Sequence, residues 1–370
     1  METLAIIGAS YLQKPLVEKA KEMGLRVLCF AWEEGSVCKD VADRFYPISI
    51  VDKEEILTIC QRECIDGICT IASDVAAPTV AYVAEQMGLI GNSYESSLRA
   101  NNKYEMREAF SHAGIPCPRY AILSDVRQLE NITFPFPVIV KPVDRSGSLG
   151  VSLAETPESL IVAAQTAINY SFAKKCIVEQ YIKGREISVE FISYQGKHYP
   201  LQITDKVTTG APHFVELEHH QPAELSLSQY ADIYTITERA LDVLGVTNGA
   251  SHSEYKITDE GKYVVIEIGA RMGGDFIGSD LVQLSTGYDF LKGVIDVALG
   301  RFEQPIINKK GYADIYFLCE QTKHLLDIDS SNLGEHIIKK YFNKENLLKP
   351  TSSSERSGYV IFSNTKKVIL

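Results

Sequence analysis

The chain has 370 residues, 45% hydrophobic and 23% charged, with 37 Lys and Arg against 48 Asp and Glu for a formal charge of −11. That length holds two or three domains with cores of their own. A net acidic surface argues against general nucleic-acid or anionic-membrane binding, yet permits a local basic pocket for a phosphate.

The opening METLAIIGAS has no basic stretch before its short apolar run, so it reads as a first β-strand and not a signal peptide. No apolar run approaches the ~18 residues of a membrane span. The eight cysteines form no CxxC pair, and no histidine is spaced to complete a zinc site. The expectation is a cytoplasmic protein with reduced, mostly buried thiols. Helix-like segments at 12–23, 53–63 and 75–87 alternate with the strand-like LRVLCF and GICTIAS. That alternation predicts a parallel sheet with helices on both faces, running to about residue 100. The turn after the first strand reads GASYLQKP, not G-x-G-x-x-G, so a dinucleotide site is not expected there.

NKYEMREAFSHAG (102–114) predicts a helix with a glycine stop, followed by the extended IPCPRY. From residue 137 the pattern becomes β-rich: PVIVKP, GVSLAE, a helix introduced by Thr156-Pro157-Glu158, then CIVEQYI, REISVEFISY and KHYPLQIT. Residues 225–244 predict a long helix ending at Gly245, and 286–300 another. Between them, GASHSEYKITDEGKYVVIEIG reads as a β-hairpin turning at Asp259-Glu260-Gly261. The last 70 residues mix short strands with polar turns, including TSSSERSG, and suggest no role beyond packing.

Four constellations invite chemistry. In VIVKPVDRSGSLGV, a strand delivers Lys141 and a loop with Gly147 and Gly150 follows, either a phosphate cradle or a turn that merely needs glycines. In CIVEQYIKGREISVE, Glu179 and Glu186 flank Gly184, where they serve either a nucleotide's ribose and base or a solvated strand face. In the hairpin, a loop of two or four residues sets Glu254 directly opposite Glu267, whereas three residues would put them on opposite faces. Facing acids are destabilising unless a divalent cation lies between them, and oxygen ligands suit Mg²⁺ shared with substrate phosphates. The alternative is an exposed, solvated pair. In HFVELEHHQP, Glu216, Glu218, His219 and His220 are either a polar loop or a contact for a substrate amine.

In this order, over roughly residues 1–300, these pieces resemble the ATP-grasp superfamily of carboxylate–amine ligases. The resemblance implies an α/β fold: a parallel-sheet pre-ATP-grasp domain (1–100), a small lobe with a glycine-rich lid (101–175), a large lobe with a metal-binding hairpin (176–300) and a small β-rich C-terminal segment (301–370). It implies that Lys103, Lys141 and the lid residues Ser146, Gly147 and Ser148 meet ATP phosphates. Glu179 and the backbone at Tyr181 and Ile182 would meet the adenine, and Glu186 the ribose. Glu254 and Glu267 would hold Mg²⁺, with Mn²⁺ as a substitute. Arg271 and Lys141 would be catalytic, Arg271 touching the transferred phosphate or a substrate carboxylate.

HFVELEHHQP looks most like the L-amino acid ligase (dipeptide synthetase) branch, where Glu216 and His219, or His220 in its place, would face a substrate amine, with Gly274 and Asp275 nearby. The implied partners are a small carboxylate and an amine, with no nucleic acid and no membrane; a homodimer is an open expectation. Two positions depart from the family pattern. Gly269 stands where Glu-x-Asn-x-Arg usually has its asparagine, and Leu149 stands in the lid where a polar or basic residue is common. Those departures keep open a nonenzymatic nucleotide-binding regulator, beside a different ligase such as a phosphoribosylamine–glycine ligase. An NAD-dependent oxidoreductase rests only on the parallel sheet.

Overall fold

The computed structural model describes residues 1–328, 336–343 and 347–365. The N-terminal unit contains β1 (Thr3–Ile7), α1 (Lys14–Glu22), β2 (Arg26–Phe30), β3 (Arg44–Tyr46), α2 (Lys53–Glu63), β4 (Gly67–Cys69), α3 (Ala77–Met87) and α4 (Tyr94–Asn101). Its sheet, ordered β3-β2-β1-β4, is parallel throughout. Side chains alternate across β1 as the strand period requires. Leu4 and Ile6 enter one core with Leu16 and Val17 of α1, while Ala5 and Ile7 enter another with Ile56 of α2 and Val83 of α3.

The next unit begins with α5 (Lys103–His112), capped by the Asn102 side chain on the N–H groups of Tyr104 and Glu105. Then come β5 (Tyr120–Leu123), β6 (Val138–Pro142), β7 (Ser152–Ala154), α6 (Pro157–Tyr170) and β8 (Cys176–Gln180). The strands make an antiparallel sheet ordered β5-β8-β6-β7. Leu160, Ala164 and Ala167 of α6 bury its one covered face.

The third unit contains β9 (Arg185–Tyr194), β10 (Lys197–Thr208), β11 (Glu216–Gln221), α7 (Leu227–Leu244), β12 (Gly249–Ile257), β13 (Tyr263–Gly269), α8 (Val282–Thr286), α9 (Phe290–Ala298), β14 (Tyr312–Leu318), β15 (Ile337–Phe342) and β16 (Gly358–Asn364). One eight-stranded antiparallel sheet, β13-β12-β9-β10-β11-β14-β16-β15, unites them. The strands after residue 301 therefore continue the large-lobe sheet instead of making one of their own. Helix α9 packs back on the N-terminal sheet, its Phe290, Val294 and Ile295 sharing a core with β1 and α1. A parallel bridge between Ile71 and Met272 joins the same two units, with the Ala72 N–H donating to the Met272 carbonyl at 3.0 Å.

The hairpin reaches its expected register by an unexpected route. Thr258 N–H donates to Lys262 O at 2.9 Å and Gly261, at φ +77°, closes a three-residue turn. Ile257 then faces Tyr263, a register that by itself would set Glu254 against Ile266. A β-bulge adds one residue on β13 between the Tyr255–Val265 and Glu254–Glu267 pairs, so the two acids do stand opposite each other. The buried Arg107 of α5 donates to the Ile266 carbonyl at that bulge.

Candidate active site

Two adjoining cavities lie between the units. The first, ≈ 180 Å³, is enclosed by the small-lobe sheet, residues 146–148 and the hairpin. Its lining includes Lys103, Lys141, Ser146, Gly147, Ser148, Glu179, Tyr181, Ile182, Glu186, Glu254, Glu267 and Arg271. The sequence spread these residues over 169 positions, and the fold brings all of them to one cleft.

The charges are closely matched. Glu179, fully buried, lies 2.6 Å from Arg107 Nε and 2.9 Å from Lys141 Nζ. Burial would raise its pKa, but the two cations hold it down at about 2. Lys103 donates to Glu267 Oε1 and to the Arg145 carbonyl, both at 2.7 Å. Lys206, which the sequence reading missed, sits in the middle of three acids: Glu254 at 2.6 Å, Glu186 at 3.3 Å and Glu216 at 3.6 Å. Burial works against its charge, yet those carboxylates raise its pKa well above the ordinary lysine value. Lys256 holds the other oxygen of Glu186 at 2.9 Å. It lies two residues beyond Glu254 on one strand face, a spacing legible in SHSEYK. The Tyr181 N–H already donates to the Pro137 carbonyl at 3.3 Å. Gly147 and Ser148 both have positive φ, +66° and +57°, which shapes the loop over the cleft.

The second cavity, ≈ 930 Å³, opens from the same acids. Tyr11, Ala72 and Asp74 reach it from the N-terminal unit, Ser353 and Arg356 from the segment before β16, and Tyr359 from β16. The polar TSSSERSG stretch is thus part of a cavity wall, not packing alone. Arg356 grips Asp275 through both terminal nitrogens at 2.8 and 2.7 Å and lies 3.7 Å above the Phe317 ring. That grip keeps the half-buried Asp275 carboxyl below the usual range against the cost of desolvation; Asp275 has φ +50°, a strained region for a non-glycine residue. Glu216 accepts from Ser353 Oγ at 2.9 Å. Gly274 lines this cavity; Gly273 instead leaves room for the buried His252–Glu190 pair, 2.7 Å from where its Cβ would stand.

Strand alternation parts the two histidines. His219 faces the second cavity; both its ring nitrogens are buried without a hydrogen-bond partner, and the Asp275 carboxylate is 4.0 Å away. Burial lowers its pKa, leaving it neutral near pH 7. His220 faces the other way, clamped by Asp314 at 2.7 Å and Glu218 at 2.9 Å. It lines neither cavity, whereas His219 lines the second.

Among the described residues, no group of three or more His, Cys, Asp and Glu side chains stands ready to hold a metal ion. The facing pair Glu254–Glu267 does suit Mg²⁺, which takes one or two protein carboxylates and completes its shell with phosphates and water. None of the described helices is long and apolar enough to cross a membrane.

The fold and cleft define an α/β protein with a charged cleft between a small antiparallel sheet and a large one. Residues 134–280 match the ATP-grasp domain model. It is 28% identical over 265 residues to alanine–anticapsin ligase of Bacillus subtilis, covering 62% of this chain and 55% of that protein. It is 27% identical over 256 residues to D-alanine–D-alanine ligase of Geobacter sulfurreducens, covering 65% and 78%. The chain thus spans about half the length of the first of these relatives. The crystal structure of L-amino acid ligase from Bacillus licheniformis superposes with a TM-score of 0.82 at 23% identity, covering 98% of this chain and 93% of that one, which establishes the shared fold.

Proposed function

We propose that this protein is an ATP- and Mg²⁺-dependent ligase that joins a small carboxylate, such as an amino acid, to an amine and releases ADP and phosphate. The observation that carries the reading is the facing pair Glu254–Glu267, each acid held by a lysine, at the junction of a phosphate-sized cleft and a larger cavity. In the first step a substrate carboxylate oxygen attacks the γ-phosphorus and the bond to ADP breaks, giving an acylphosphate. In the second an amine attacks the acyl carbon and phosphate leaves with the bonding electrons. Bound Mg²⁺ would neutralise phosphate charge between Glu254 and Glu267.

Lys103 and Lys141 bring positive charge to the phosphates, and Arg271 to the transferred group or the substrate carboxylate. Neutral His219, beside Asp275 and Glu216, is placed to take the proton that the substrate ammonium must lose. Ser146 and Gly147 line both cavities and Ser148 the first; a loop there would shield the acylphosphate from hydrolysis by water. Lys206, Arg271, Arg356 and His252, cations of the second cavity, each already face a carboxylate. That pairing leaves no surplus among these four cations for an additional sugar phosphate.

The test is incubation with MgATP and pooled amino acids, following phosphate release and product mass. ADP with a new condensation mass supports the ligase. AMP and pyrophosphate would contradict the acylphosphate route, and nucleotide binding without turnover across broad pools would point to a regulator.

A further inference from the structure

Gly269 stands in an ordinary strand at the end of β13, paired with His252, and its φ is not positive. No backbone requirement therefore explains the glycine; space does. A Cβ at this position would lie 2.4 Å from Asp74 Oδ1 and 3.1 Å from Arg271 Nε. Strand alternation puts residue 269 on the same face as Glu267, and the cross-strand neighbours His252 and Glu254 share that face. With C–C bonds of about 1.5 Å and C=O of about 1.2 Å, a side-chain carbonyl oxygen on residue 269 would itself sit roughly 2.4 Å from its Cβ. Asp74, from the N-terminal unit, thus places an oxygen at the distance where an asparagine at 269 would place its own.

Asp74 is held there by more than one contact. The Ile71–Met272 bridge and the Ala72 N–H bond to Met272 O fix its loop against the residues following Arg271. Its two oxygens accept from Arg271 Nε and Nη2, both at 2.8 Å. Asp74 and Arg271 each line both cavities.

We propose that Asp74 is a positioning residue of the site: it fills the space that Gly269 leaves and fixes the Arg271 guanidinium where the transferred phosphate passes between the two cavities. Gly269 and Asp74 form a complementary pair, in which the small residue on the hairpin is required by the acid from the other unit. The proposal rests on the ligase reading only for the identity of the phosphate, so it is tested by readouts that need no turnover.

A thermal-stability cycle of G269A, D74A and the double variant tests the spatial claim. G269A should lower the melting temperature of the wild type by roughly 3–8 °C, as overpacking does, and have little effect in the D74A background. An equal drop in both backgrounds would overturn the pairing. Calorimetric titration of MgADP and then inorganic phosphate tests the positioning claim. D74A should leave MgADP affinity within about 3-fold and weaken phosphate binding to the MgADP-loaded protein by roughly 10-fold or more, with D74N in between because it keeps one acceptor oxygen. Unchanged phosphate affinity in D74A, or a wild type that binds no phosphate beside MgADP, would overturn it. A wild type that passes both tests yet turns over no acid and amine would overturn the ligase reading alone.

Discussion

Arg107→Met should damage the site from a position that lines neither of the two cavities. The guanidinium is fully buried, pairs with Glu179 at 2.6 Å and donates to the carbonyl of Ile266 at the hairpin bulge. Methionine keeps an unbranched apolar stem but, among the described residues, leaves the buried carboxylate with Lys141 as its remaining ion-pair partner, 2.9 Å away, and orphans a carbonyl. Removing one partner of a buried pair costs about 3–5 kcal/mol. The unpaired carbonyl adds roughly 1–3 kcal/mol, and retention of Lys141 offsets part, so the net loss should be about 3–5 kcal/mol. The bulge also sets the Glu254–Glu267 register, so the Mg²⁺-dependent part of nucleotide affinity should fall roughly 10-fold or more, while metal-free nucleotide binding changes less. Urea unfolding and calorimetric titration with and without Mg²⁺ measure the two effects. Arg107→Met/Glu179→Gln should recover much of the stability, because it removes the stranded charge, but not the metal dependence. A single variant within about 1 kcal/mol of wild type, with normal Mg²⁺ dependence, would refute this account of the bulge.

Three further outcomes are expected. Glu267→Gln should reduce MgATP-dependent phosphate release by roughly 10²-fold or more with little change in melting temperature, since a glutamine oxygen still accepts from Lys103; near-normal activity would remove Glu267 from the metal site. His220, with its pKa raised to about 9 by Asp314 and Glu218 against the cost of burial, contributes stability that is complete below the unfolded value near 6.5 and lost as pH rises through 9. The loss should be at most about 3 kcal/mol, seen as a wild-type stability slope between pH 6.5 and 9.5 that is reduced in His220→Gln, the remainder coming from His252, which Glu190 also raises to about 9. Arg356→Met should release Asp275 and raise the KM of the acid or amine substrate roughly 10–100-fold while leaving the KM for ATP unchanged, measured by coupled ADP release.

Local pattern carried much of the architecture. Residues 53–63 are a helix, and the long helix before Gly245 ends at that glycine, at φ +76°. Thr156 caps α6 as its Thr-Pro-Glu start suggests, with its hydroxyl accepting from the Ser159 N–H. Helix periodicity, capping chemistry and the left-handed tolerance of glycine act within a few residues, so a single sequence displays them. The same locality makes Lys141, Glu254, Glu267 and Arg271 legible as site candidates, because strand ends and hairpins bring their own residues together.

The long-range contacts were not legible in that way. The bulge at Ile266 depends on Arg107, 159 residues earlier in the chain, and an odd-length turn alone points to the wrong register. Lys206 reads as an ordinary strand lysine until three acids from separate strands converge on it. Arg356 looks like part of a serine-rich tail until β16 takes its place in the large-lobe sheet beside Asp275. By itself the sequence pointed to many of the helices and strands and to most of the residues that line the cleft, because those depend on side-chain type and spacing. Only the tertiary structure decided how the charges are paired, that His219 and not His220 faces the cavity, and that Gly269 is small to make room for Asp74, because each depends on the meeting of groups far apart in the chain.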